Sequence, residues 1–157
     1  MPRRPYKKRP SAIDTVYAST DVAKLINYVM TAGKKTVAQK MVYNALDIIK
    51  KENQDPVAML KKALNNVSPT HEVRPRRVGG ASYLVPSETR ADRKIFLGFN
   101  WILQAARARP NKEYKSFGKK LAVEILAAAS SEGEAVAKKK QVEKLAEANR
   151  AFAHFKW

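Results

Sequence analysis

NNVSPTHEVRPRRVGGASYLVP, residues 65–86, is the one stretch of this 157-residue chain that does not read as helix. Ser68-Pro69 closes a helical pattern, because the residue before a proline is pushed out of the helical region. Two extended arms follow, at 72–78 and 83–86, on either side of Gly79-Gly80-Ala81-Ser82, where glycine supplies the positive φ of a tight hairpin connection. The pattern predicts a two-stranded β-ribbon. One face of its first arm carries Val73, Pro75 and Arg77 and the other Arg74, Arg76 and Val78, so neither face is a clean apolar one. Pro75 and Pro86 each remove a ladder donor, which edge strands tolerate. At about 3.3 Å per residue the first arm reaches roughly 23 Å. Isolated hairpins are marginal in water. One bearing Arg74, Arg76 and Arg77, with Arg90, Arg93 and Lys94 close behind, is therefore expected to settle against a polyanion.

The sequence on both sides of the ribbon is helical in period. Upstream, a helix capped at Thr20 or Asp21 and ending by Gly33 turns Val22, Leu25, Ile26, Val29 and Met30 inward and Lys24 outward. A second, about 36–53, buries Ala38, Met41, Val42, Ala45, Leu46 and Ile49. Asp55-Pro56, a cap followed by proline at the first helical position, announces a third. Downstream, a helix over about 91–109 sets Ile95, Phe99, Ile102 and Ala106 against Arg93, Asn100, Gln104 and Arg107, with Trp101 between the two sides and expected in the core. A fifth buries Phe117, Leu121, Ile125 and Ala128. The sixth, after Gly133, has only Val136, Val142, Leu145 and some alanines to bury, and runs into the tail Phe152, His154, Phe155, Lys156, Trp157. The expected fold class is mainly α: a single domain of about six helices, 1–157, with one protruding two-stranded β-hairpin between the third and fourth, at 70–89. A basic arm, 1–12, precedes it and a C-terminal helix with its tail, 134–157, ends it.

Charge bounds the function. Thirty-one Lys and Arg against fourteen Asp and Glu leave +17, an excess that repels itself in the compact state and calls for an anionic partner. The arm, with Arg3, Arg4, Lys7, Lys8 and Arg9, three prolines and no acid, orders along phosphates, where each neutralised charge releases counterions. Such a tract also suits nuclear targeting. Cysteine is absent, which fits a reducing compartment. No apolar run reaches membrane length, and MPRRPYKKRP has no secretory core, so a cytoplasmic protein is expected.

The same residues offer little to catalysis. Lys34-Lys35-Thr36 after Gly33 imitates a phosphate-binding loop but fails its spacing, since Tyr28 stands where the first glycine belongs and Lys35 where Ser or Thr does. His71 and His154 are too far apart in sequence to suggest a metal pair. No nucleophile elbow or paired-carboxylate motif is present. The expectation is a binding protein, not an enzyme, with no cofactor, no metal and no need of a homo-oligomer.

The ribbon string, GKKTVAQKMVYNAL at 33–46 and LAEANRAFAHFKW at 145–157 together closely resemble the family of the seventh protein of the small ribosomal subunit, in its bacterial form, from MPRR to Trp157. The resemblance implies a structural constituent of that subunit that binds the 3′ major domain of 16S rRNA and nucleates assembly of the head. It implies a seat near the decoding centre, exit-site tRNA and mRNA, beside the ninth and eleventh small-subunit proteins. Carried onto this chain, rRNA contacts fall on Arg3, Arg4, Lys7, Lys8, Arg9, Lys24, Lys34, Lys35, Arg76, Arg77, Arg93 and Lys94. The tRNA-facing side falls on Gly79, Gly80, Ala81, Ser82, Asn149 and Arg150. This sequence departs from the family at Leu84, where glutamine is usual, and at Asn100, where a basic residue is. Two other readings stay open from the residues alone: an architectural DNA-binding protein whose ribbon enters a minor groove, and a basic RNA chaperone with no fixed site.

Overall fold

The computed structural model describes residues 12–52 and 54–155. Its elements follow in the order α1 (Thr20–Val29), α2 (Lys35–Lys51), α3 (Pro56–Val67), β1 (His71–Val78), β2 (Ala81–Glu88), α4 (Ala91–Ala108), α5 (Phe117–Ala129), α6 (Gly133–Ala148) and a terminal 3-10 turn (Arg150–Phe155). The expected mainly α architecture, with one ribbon between α3 and α4, is what is found. No helix among the described residues is long and apolar enough to cross a membrane.

Local chemistry explains most boundaries. The Asp55 carboxylate accepts from the Val57 amide at 3.0 Å, with Pro56 in the first turn, so α3 starts where the Asp-Pro pair predicts. Ser116 accepts from the Lys119 amide and caps α5 in the same way. α1 ends at Val29, earlier than Gly33, because Met30 already leaves the helical region at ψ 131°, and the chain then turns through two left-handed residues, Ala32 and Gly33.

α5 is the hub, packed against α2, α3, α4 and α6. Leu121, Ala122, Ile125 and Ala128 are fully buried along it, and the alanines let neighbouring helices close in. Gly118 extends that logic, since a Cβ there would stand 3.2 Å from the Met41 carbonyl oxygen of α2. Around the hub lie Leu25 and Ile26, Leu46 and Ile49, Leu60, Phe99 and Ile102, each hidden from water. Full burial of such a side chain is worth about 1.5–3 kcal/mol. Trp101 is only 8% exposed and belongs to this core, as expected, so it offers no face for base stacking. Met41, expected inward, is 38% exposed, while Val42 and Ala45 on the same helix are fully buried.

Charge is also built into the interior. Glu124 of α5 is completely buried, and its Oε2 accepts from Arg109 Nη2 at 2.6 Å and Nε at 3.0 Å. Its Oε1 takes the Ala135 amide at the start of α6 at 3.2 Å. Lys120, also buried, donates to the Arg109 carbonyl and to Asn111 Oδ1. This belt ties the end of α4, the length of α5 and the start of α6.

In the ribbon, β1 and β2 pair antiparallel from His71 with Glu88 to Val78 with Ala81. The connection is the two residues Gly79 and Gly80, at φ 57° and 90°. Both lie in the left-handed region that a primed turn demands and that other residues enter only with strain. The strands are longer than the sequence arms, and Ala81 and Ser82 belong to β2.

The ribbon's shaft leans on the end of the chain. Tyr83 packs on Phe152 and Phe155 of the terminal turn, with ring centroids 5.1 and 5.4 Å apart. At its root, Glu143 of α6 accepts from the Thr70 amide and hydroxyl at 3.0 and 2.9 Å. Lys139 donates to the Asn66 carbonyl, and the Asn66 amide nitrogen donates to the carbonyls of Ala128 and Ala129 at the end of α5. The polarity of α6 therefore has a structural use: it is a clamp of hydrogen bonds between α3, α5 and the ribbon. Its apolar contribution is Ala135, Val136 and Ala146, with Val142 half-buried, whereas Leu145, expected inward, is 41% exposed.

Candidate nucleic-acid interface

The root of the ribbon gathers cations that are distant in sequence. Arg74, on β1, donates to Glu72 Oε1 through Nε at 3.0 Å and Nη2 at 2.5 Å, and Arg93, in the first turn of α4, donates to Glu72 Oε2 at 3.2 Å. One buried carboxylate thus braces two arginines whose side chains remain about half exposed. Arg93 also lies over the Phe96 ring, 5.1 Å from its centroid, and Phe96 meets Tyr28 of α1 at 5.8 Å. Lys24 stands one helical turn before Tyr28 on the same face. A continuous surface therefore runs from Lys24 through Tyr28 and Phe96 to Arg93, Arg74 and the ribbon.

Arg76 and Arg77 follow on β1, half-buried and exposed, on opposite faces. Lys94 is half-buried on α4. Lys34 and Lys35 are exposed where α2 begins, Lys34 being its N-cap residue. Gly79, Gly80, Ala81 and Ser82 are exposed at the tip, and Leu84 is 38% exposed beside them. Asn149, half-buried, closes α6 with its side-chain amide on the Leu145 carbonyl at 2.8 Å, and Arg150 is exposed next to it. The Tyr83 contact with Phe152 and Phe155 joins the tip strand to this end of the chain. Asn100 is half-buried on α4. Arg3, Arg4, Lys7, Lys8 and Arg9 lie outside the described residues.

The root of the arm is itself fixed. Asp14 is buried, its Oδ2 accepts the Val16 and Tyr17 amides and its Oδ1 accepts the Tyr43 hydroxyl at 2.7 Å. The hydrogen bond to Asp14, helped by burial, pushes the Tyr43 phenol up to about 12. The side chain therefore stays a donor at any physiological pH, and the segment just before α1 is pinned to α2 at Tyr43.

Two concavities flank the ribbon root. One, of about 580 Å³, is lined by Arg74, Arg76, Val85, Ser87, Glu88, Thr89 and Arg90. The other, of about 600 Å³, lies toward α6 and includes His71, Glu88, Glu143, Glu147 and Arg150. Sequence reading missed Ser87 and Thr89, and only the structure shows that they are sheltered beside arginines. Each histidine has a local partner, His71 Nδ1 being 3.1 Å from Thr70 Oγ1 and His154 Nδ1 donating to the Ala151 carbonyl.

The Glu72 bracket has a pH signature. Burial pushes its carboxyl up, but hydrogen bonds from Arg74 and then Arg93, with their charge, outweigh that and hold it below the usual 4.5. A pKa depressed by folding stabilises the fold above the unfolded value and loses that contribution as pH falls through the folded one. The stability difference between the native chain and Glu72→Gln is thus expected to be constant above about pH 4.5 and to shrink below it in urea titrations. A difference unchanged down to pH 3 would show that the bracket contributes nothing.

Comparison with known proteins accords with this geometry. The family model for ribosomal protein S7p/S5e matches residues 1–150. A protein of Caldicellulosiruptor bescii named small ribosomal subunit protein uS7 is 54% identical over the full length of both chains. Those of the same name in Thermotoga neapolitana and Thermotoga maritima are 51% and 50% identical, again over the full length of each. With a family model matching residues 1–150 and relatives about half identical from end to end, the chain belongs to the S7p/S5e family of ribosomal proteins.

Proposed function

We propose that this chain is a structural constituent of the small ribosomal subunit in the cytoplasm, and that it acts as a mould for folded rRNA rather than as an enzyme. On this reading it is a primary binder of the 3′ major domain of 16S rRNA and nucleates assembly of the head. Arg3, Arg4, Lys7, Lys8, Arg9, Lys24, Lys34, Lys35, Arg76, Arg77, Arg93 and Lys94 contact that RNA. Gly79, Gly80, Ala81, Ser82, Asn149 and Arg150 face exit-site tRNA, with mRNA close by, and the ninth and eleventh small-subunit proteins are its neighbours. The whole chain, 1–157, works as one folding unit.

The observation that carries the reading is the unbroken surface from Lys24 to the ribbon, held rigid by aromatic contacts and by Glu72. RNA helices hide their base edges in a deep, narrow groove, so a protein recognises them chiefly by shape, phosphates and sugar hydroxyls. A rigid set of cations suits that task. Phosphate contacts position the protein, and the fit to a junction supplies specificity.

Chemical footprinting of intact small-subunit RNA with the purified chain tests the reading. Protection confined to the 3′ major domain is expected, and protection scattered over all domains would favour a chaperone without a site. Competition with duplex DNA addresses the architectural alternative. Deleting residues 78–83 is expected to leave affinity for the RNA nearly unchanged while weakening exit-site tRNA on assembled particles. Loss of RNA binding in that deletion would overturn the division of labour between tip and root.

A further inference from the structure

Resting on the ribosomal reading, we propose that the recess at the ribbon's root is a built seat for one backbone phosphate of the bound RNA, in which the hydroxyls of Thr89 and Ser87 act with Arg74, Arg76 and Arg90. None of Thr89, Ser87, Arg74 or Arg90 belongs to the set assigned above.

Three features converge there. The recess, of about 580 Å³, is flanked by three guanidinium groups, and Val85, only 3% exposed, supplies an apolar wall. Thr89 is 5% exposed, and its Oγ1 and the Oγ of Ser87 are buried without a hydrogen-bond partner. A buried hydroxyl without a partner carries a desolvation penalty, and a phosphate oxygen is an acceptor that can relieve it. The same recess abuts the N-terminus of the 18-residue helix α4, whose N-cap residue Arg90 makes no side-chain cap bond. The helix dipole favours an anion at that end.

The opposing charges are few and select among anions. Glu88 lines the recess itself, Asp92 stands in the first turn of α4, and Glu72 already engages Arg74. Their field penalises a dianion more than a monoanion. A phosphodiester, with one negative charge, is thus preferred over inorganic phosphate, and the volume admits the flanking sugars.

Thr89→Val separates this seat from mere structure because it removes a hydroxyl at nearly constant shape. Deleting a buried unpartnered donor leaves the free protein as stable or more so. Affinity for a 3′ major domain fragment at fixed salt is expected to fall about ten- to a hundredfold, as for loss of a hydrogen bond to a charged group. The slope of log affinity against log salt should stay unchanged. Thr89→Ser should restore binding. Arg90→Gln should reduce that slope by about 0.7–0.9. Inorganic phosphate alone, followed through the Thr89 amide resonance, should bind far more weakly than the RNA. Native affinity in Thr89→Val would overturn the seat and leave the wider RNA reading standing, whereas a native chain that fails to bind the fragment removes both. Tight saturation by inorganic phosphate, with RNA affinity unaffected, would assign the recess to a free anion and overturn the proposal.

Discussion

Raising the salt from about 50 to about 200 mM is expected to weaken binding of this chain to head-domain rRNA by about 10³- to 10⁵-fold, the loss that roughly six to ten phosphate contacts entail. The argument starts from the formal charge of +17, far beyond what solubility asks of a small domain. Bound counterions leave the RNA as each phosphate meets a cation, so the entropy of their release drives association and vanishes as bulk salt rises. The proposed cations sit where they can deliver this: Lys34 and Lys35 are exposed at the start of α2, and Arg93 stays half open to water although tied to Glu72. Replacing both Lys34 and Lys35 by Gln should reduce the salt slope by about 1.4–1.8. Filter binding at several salt concentrations measures both quantities. A flat salt response would mean that the charge excess serves something other than RNA.

How far the sequence reaches toward this surface depends on the range of each interaction. Gly79-Gly80 and Asp55-Pro56 are legible because a turn or a cap is decided within a few residues, and both features stand where they were expected. The bracket at the ribbon root is half legible. Glu72 and Arg74, two apart on a strand, must share a side, but nothing in the string says that Arg93 arrives at the same carboxylate from α4. Thr89 and Ser87 carried no signal, since only tertiary packing takes a hydroxyl out of water without supplying a partner. Period reading erred on α6 for a related reason. Leu145 is on the exposed side because that helix is held by Glu143 and Lys139 bonding across to Thr70 and Asn66, so its orientation follows polar partners rather than its apolar stripe. Glu124 shows the converse. Its position, three beyond Leu121, lies on the buried stripe of α5, yet a carboxylate there reads as an error until Arg109 is seen to meet it.

That pair sets the second large expectation: Arg109→Met should destabilise the folded chain by about 3–5 kcal/mol, because it strands a buried carboxylate without its counter-charge. The Arg109 side chain is 23% exposed and Glu124 only 1%, so the two substitutions are not equivalent. Removing the carboxylate, as in Glu124→Leu, leaves an arginine that can still turn toward water, and costs less. It also strips the Ala135 amide of its acceptor, which loosens the entry to α6. The double variant, with an apolar pair in place of the ionic one, should recover much of the loss, since replacing both partners is often close to neutral while breaking one is not. Urea unfolding of the four proteins gives the coupling directly. For a chain of this size a loss of about 3 kcal/mol lowers the melting temperature by roughly 6–12 °C. Because α6 holds the ribbon root through Glu143 and Thr70, hydrogen exchange in Arg109→Met should quicken in α6 and β1 before it does in α5. Uniform quickening across all helices would instead place the pair in the global core, with no special hold on the ribbon. A double variant no better than Arg109→Met alone would show that the destabilisation comes from lost packing and not from a stranded charge.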